Sequence, residues 1–145
     1  MKYNAGAILL IRNFKLPTCY KDKLFVVIGD VNEKIELFAI TTSQIYFNAP
    51  AKKGLICDNG ISVYCFPANM EIGEKGFSFD KDTFISHRNS IFEFDEEFLM
   101  QYDIKIMDIL KREELNDLMY SLYRHSELKR KYKRIFENIL SKLNH

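Results

Sequence analysis

The chain has no tryptophan, three cysteines, no long apolar run and a net charge of only +1, and each shortage removes a class of protein. Cys19, Cys57 and Cys65 are odd in number and form neither a CxxC pair nor a Cys/His cluster with zinc spacing, which argues against a disulfide framework and a structural metal. A reduced, cytoplasmic protein with no metal or cofactor is expected. No stretch approaches the roughly 18 consecutive apolar residues that span a bilayer, so no membrane role is expected. At the N-terminus, MKYNAGAILLIRNF places one lysine before a short apolar run, but Arg12 interrupts it and no small-residue cleavage site follows. It reads as a strand rather than a leader. With 21 basic and 20 acidic residues, whole-chain electrostatics select no partner. The patterns GxxxxGK[ST], GxGxxG, GxSxG, HExxH and the EF-hand loop are all missing.

What is present suits one globular core. The chain has 145 residues, 47% of them hydrophobic and 28% charged, enough for a single domain over 1–145 and too few for two. The organising stretch is Lys21 to Ser43, KDKLFVVIGDVNEKIELFAITTS. Leu24 to Ile28 and Ile35 to Ile40 are apolar runs around a Gly29-Asp30-Val31-Asn32 turn cluster, which predicts a hairpin near the centre of a sheet. In an antiparallel pair the start of the first strand and the end of the second share one end. Lys21, Asp22 and Lys23 are therefore expected beside Thr41, Thr42 and Ser43. Lysine supplies point charge and the hydroxyls supply directional donors, a combination that suits a phosphate as well as it suits a plain polar loop end.

Around the hairpin the front of the chain reads as β and the back as helical. Ala5-Gly6-Ala7 leads into a strand over Ile8 to Ile11, and Lys15 to Cys19 is a loop. Asn48 to Gly54 is a breaker-rich connector, and Cys57-Asp58-Asn59-Gly60 is a turn before a strand at Ile61 to Phe66. Short extended pieces follow at Phe77 to Phe79, Asp82 to Ser86 and Asn89 to Phe94, and such spacing predicts a small barrel or a strongly bent sheet. Phe25, Phe38, Phe66 and Phe84 are expected in the core. From about Lys105 the period becomes helical, with Leu110, Leu115, Leu118, Met119 and Leu122 on one face and Glu113 and Glu114 in a first turn. A second helix over 126–143, with Ser126 as its N-cap, carries Leu128, Tyr132, Ile135, Ile139 and Leu143 on a stripe widened by Phe136 and Leu140. Its other face holds Lys129, Arg130, Lys131, Lys133 and Arg134, either a solvated face or a secondary contact for a partner.

Gly6 to Ile11, Lys23 to Ile28 after a long first loop, and Phe38-Ala39-Ile40-Thr41-Thr42 closing a strand resemble the MazF/PemK family of toxin endoribonucleases. Asn89 to Phe94 and Asp103 to Leu118 are similar to that family's last strand and closing helix, so the likeness covers residues 1 to about 122 in order. The resemblance implies an α+β protein built on an SH3-like barrel with C-terminal helices. It also implies a homodimer that cuts single-stranded RNA without a metal and is restrained by an antitoxin. The family's catalytic threonine falls on Thr41 and its catalytic arginine on Lys23, with Leu24 where the family has proline and Ala7 where it commonly has aspartate. Lysine cannot clamp a phosphate with two coplanar donors as arginine does. The expected function is a toxin endoribonuclease that cuts single-stranded RNA at specific sequences, with Lys23 and Thr41 holding the scissile phosphate and His87 as proton carrier. The alternative is a catalytically inactive barrel of the same fold that binds RNA or protein. Lys21, Thr42 and Ser43 would support the phosphate.

Metal-free RNA cleavage also needs a base and an acid. His125, at a helix junction, and His145, at the terminus, read as incidental. His87, near Asp82 and beside Arg88, is either a surface-loop histidine or the proton carrier. Asp22 is either a proton acceptor or a partner of a neighbouring lysine.

Overall fold

A computed structural model describes residues 3–45, 51–58, 60–125 and 130–144, with the side chains of Arg130 and Lys131 left aside. The expected Ser126 cap, Leu128, Lys129, His145, Asn59 of the turn and the Asn48 to Pro50 part of the connector lie outside the described residues. The elements in chain order are β1 (Ala7–Lys15), β2 (Tyr20–Asp30), β3 (Ile35–Ile40), β4 (Gly54–Asp58), β5 (Ile61–Phe66), β6 (Thr83–Ser86), β7 (Ile91–Asp95), α1 (Glu96–Leu99), β8 (Ile104–Ile109), α2 (Arg112–His125) and α3 (Arg130–Leu143).

The strands form a five-stranded sheet, ordered β7-β3-β2-β1-β8, and a three-stranded sheet, ordered β4-β5-β6, with every pairing antiparallel. The molecule is thus α+β. Among the described residues no closed barrel is found: β7 and β8 are edges, and the sheets meet through an isolated bridge between Thr42 and Phe84. The central position of β2 and β3 follows from their continuous apolar runs, because alternate side chains bury on opposite faces. Val26, Ile28, Leu37 and Ala39 join a core with Tyr64, Phe66 and Ile85 of the second sheet and with Leu118, Leu122 and Phe136 of the helices. Phe25, Val27 and Phe38 point the other way, to Phe14, Phe94 and Leu99. Phe84 is buried in a third, smaller cluster.

The hairpin differs in detail from the pattern. β2 begins at Tyr20, so Lys21, Asp22 and Lys23 lie within the strand rather than preceding it, Lys21 pairing with Phe14 and Lys23 with Ile11 of β1 across a bulge. The turn sits at 31–34, where the Asn32 side chain accepts from the backbone N–H groups of Lys34 and Ile35. Gly29 is in the strand, and its role is proximity: a Cβ there would stand 2.9 Å from Cδ1 of Ile139 on α3.

Other stretches depart further. Ile104 to Ile109, expected to open the helical region, is an edge strand on β1, and the helix begins at Arg112. Residues 77–79 are not a strand. Their segment is held by the Asp108 carboxylate, which accepts from the backbone N–H groups of Lys75 and Phe77, while buried Ile72 and Phe79 anchor it to the core. α1 is a single turn, too short to show a helical period in the sequence; Asp95 caps it by accepting from the Phe98 N–H at 2.7 Å. On α3, Tyr132 and Phe136 are buried and Ile135, Ile139, Leu140 and Leu143 pack against them, as the stripe predicts. Lys133 and Arg134 are exposed.

Candidate functional site

The end of the β2–β3 hairpin is a concave site of about 250 Å³ lined by Lys21, Asp22, Lys23, Thr41, Thr42 and Ser43, with Lys81 and Thr83 among residues added from beyond the hairpin. The juxtaposition expected from strand geometry is therefore present. Lys81 was not foreseen. It arrives because Thr42 and Phe84 exchange two backbone hydrogen bonds, of 2.9 and 2.8 Å, which draw the segment before β6 against the hairpin end. No local signal in a sequence reveals a bridge between residues so far apart.

The groups in this site are not equivalent. Thr41 is 4% exposed, and its hydroxyl donates to the Leu24 carbonyl at 2.8 Å while its N–H donates to the same oxygen at 3.1 Å. Its proton is committed to closing the hairpin. Thr42 accepts at Oγ1 from the Gln44 N–H at 3.2 Å, which leaves its own proton to donate outward. Ser43 and Lys21 are exposed. Lys23 is half-buried; burial, and then the charge of Lys21, hold its pKa below the ordinary value of 10.5. Asp22 is exposed and stands beside Lys21 and Lys23 on the cavity wall. Its Oδ1 accepts from the Asn13 N–H at 3.0 Å, across the bulge where Asn13 adopts φ of 50°. The cavity thus presents three ammonium groups against two carboxylates, Asp22 and Asp80, one of which is already engaged.

His87 is elsewhere. It lies in a second cavity, of about 160 Å³, with Ser62, Arg88 and His125 among its walls and none of the hairpin residues. It is not a surface histidine, being 2% exposed. Its Nδ1 is 2.8 Å from Ser62 Oγ, its Nε2 is 2.8 Å from Ser121 Oγ, and its N–H donates to the Ser62 carbonyl at 3.1 Å. Burial lowers its pKa from 6.5, the backbone contact with Ser62 opposes this, and His125, its ring 5.9 Å away, adds to the lowering. Asp82, expected near His87, instead accepts from the Ala68 N–H at 2.9 Å. Among the described residues no group of His, Cys, Asp or Glu side chains is arranged to hold a metal ion, and no helix is long and apolar enough to cross a membrane.

Comparison with known protein families, with curated proteins and with solved structures finds no match to this chain.

Proposed function

We propose that the chain is an RNA-binding module that holds the phosphodiester backbone of single-stranded RNA at the end of the β2–β3 hairpin. The observation that carries this reading is the convergence of Lys21, Lys23 and Lys81 with the hydroxyls of Thr42 and Ser43 in one cavity. Ammonium groups attract the phosphate and hydroxyls orient it, and such contacts carry affinity without reading sequence. RNA as the ligand rests on the resemblance to MazF/PemK proteins, and on that reading the two sheets are an opened form of the SH3-like barrel.

Cleavage by the same site, as a homodimeric toxin with an antitoxin partner, is the second reading. In its favour, Lys23 and Thr41, the positions the resemblance assigns to chemistry, line one cavity. Against it, the Thr41 proton is held by the Leu24 carbonyl and His87 lines a different cavity. Incubating the folded protein with end-labelled single-stranded RNA in EDTA distinguishes the two. Binding is expected, weakened by Lys21→Ala, Lys23→Ala and Lys81→Ala, with the RNA intact. Discrete fragments that vanish in Thr41→Ala and Lys23→Ala would transfer the conclusion to the nuclease, and no binding at low salt would end both readings.

A further inference from the structure

The cavity around His87 has the parts of a nucleophilic site, independent of the hairpin end. Ser62 on β5 and His87, just after β6, are cross-strand neighbours, because the β5–β6 ladder pairs Val63 with Ser86 and continues through the His87 N–H to the Ser62 carbonyl. Their side chains meet at 2.8 Å, Oγ to Nδ1. The buried face of α2 supplies Ser121, 2.8 Å from the other ring nitrogen. One tautomer satisfies all of these contacts with directed donors. The Cys57 thiol donates to Ser62 Oγ over 3.7 Å, the Ser62 hydroxyl donates to Nδ1, and Nε2–H donates to Ser121 Oγ. Ser62 is half-buried and opens on the cavity, whereas the histidine behind it is shielded from water. A serine backed by a neutral imidazole, itself fixed by a third group, is the general arrangement of an activated nucleophile.

We propose that Ser62 is the nucleophile and His87 the general base of an acyl-transfer site for small carboxyl esters. The Ser62 oxygen attacks the ester carbonyl carbon while its proton passes to His87 Nδ1. The tetrahedral intermediate collapses with cleavage of the carbon–oxygen bond, and the departing alkoxide takes that proton. Water then attacks the acyl-serine, gives a proton to Nδ1 and releases the acid as Ser62 recovers its own. Arg88 and Asn89 stand on the wall of the same cavity. A volume of about 160 Å³ accommodates a short acyl group. Ser121 is a positioning residue: a hydroxyl stabilises an imidazolium less than a carboxylate does, so turnover is slow and the acyl-enzyme is the quantity to measure.

The full-length protein is treated with p-nitrophenyl acetate and separately with an alkyl fluorophosphonate, followed by intact-mass and peptide mass spectrometry. One adduct per chain on Ser62 is expected. It should be absent in Ser62→Ala, slowed by about 10²- to 10⁴-fold in His87→Gln, and slowed to a lesser degree in Ser121→Ala. Circular dichroism establishes that each variant is folded; if His87→Gln is not, the Ser121→Ala rate decides in its place. No adduct in folded wild type, an adduct on Cys57 instead of Ser62, or wild-type labelling rates in folded His87→Gln or Ser121→Ala would overturn the proposal.

Discussion

Asp108 shows how one side chain can fix the course of a long connection. The carboxylate is 6% exposed and accepts from three backbone N–H groups: Lys75 at 3.2 and 3.0 Å, Phe77 at 3.0 Å and Ile109 at 2.7 Å. Burial alone would raise its pKa; the amides of Ile109, Phe77 and Lys75, with the Lys75 charge, outweigh burial and hold it below 3.8. Because the folded value is the lower one, the stabilisation is complete well above pH 3.8 and disappears as pH falls through the folded value. Asp108→Asn keeps the shape but turns an amide nitrogen toward backbone donors. It should cost about 2 kcal/mol at pH 7, by the usual worth of a charged hydrogen bond, and less at pH 3, read from urea denaturation at both values. Equal losses at the two pH values would sink the electrostatic account. The requirement extends to Gly73, where a Cβ would lie 2.0 Å from Asp108 Oδ2.

Helix α3 is held by its seat on the sheet and by its end. Ile135 and Ile139 lie over Gly29 of β2, and the Arg112 guanidinium, from the first turn of α2, donates to the Leu143 carbonyl at the close of α3. A cation on terminal carbonyls satisfies acceptors that the helix leaves open. Tyr132 adds a hydrogen bond to Glu93 of β7, and burial together with that carboxylate pushes its pKa up to about 12. Gly29→Ala should therefore destabilise the fold by about 1 kcal/mol through overpacking, and Ile139→Val, which removes the opposing methyl, should recover part of that loss in the double variant. Denaturation of all four proteins in the cycle measures the coupling. Strict additivity would mean that the helix does not sit on Gly29. The glycine is visible in the sequence, but its neighbours Asp30, Val31 and Asn32 suggest a turn, because a strand glycine under a helix and a turn glycine look the same until the helix is placed.

Across the whole molecule, 21 basic residues nearly balance 20 acidic ones, so any nucleic-acid affinity must come from local clusters. Among the described residues, two candidates are the hairpin end with Lys21, Lys23 and Lys81, and the outer face of α3 with exposed Lys133 and Arg134. If the hairpin end is the site, log K for single-stranded RNA against log salt has a slope of about −2 for three phosphate contacts. Lys81→Ala should shorten that slope by roughly 0.7 and Lys133→Ala with Arg134→Ala should leave it unchanged. Fluorescence anisotropy over 50 to 200 mM salt, on the order used for such slopes, distinguishes the two surfaces. A slope that responds only to the α3 pair would move the site to that helix.

Local chemistry determined a good deal of this: the apolar runs of β2 and β3, the antiparallel geometry that sets lysines beside hydroxyls, the stripe from Tyr132 to Leu143, and the acidic start of α2. These are properties of neighbours along the chain, carried by side-chain period and turn propensity. Tertiary structure decided the rest. It committed the Thr41 proton to the Leu24 carbonyl, brought Lys81 to the hairpin end through the Thr42–Phe84 bridge, and removed His87 to a buried position between Ser62 and Ser121. Each of those outcomes depends on the register between strands separated by long connections or on a helix laid across them. Register is set by which apolar faces can be buried together, a condition of the whole core that no short window of sequence contains.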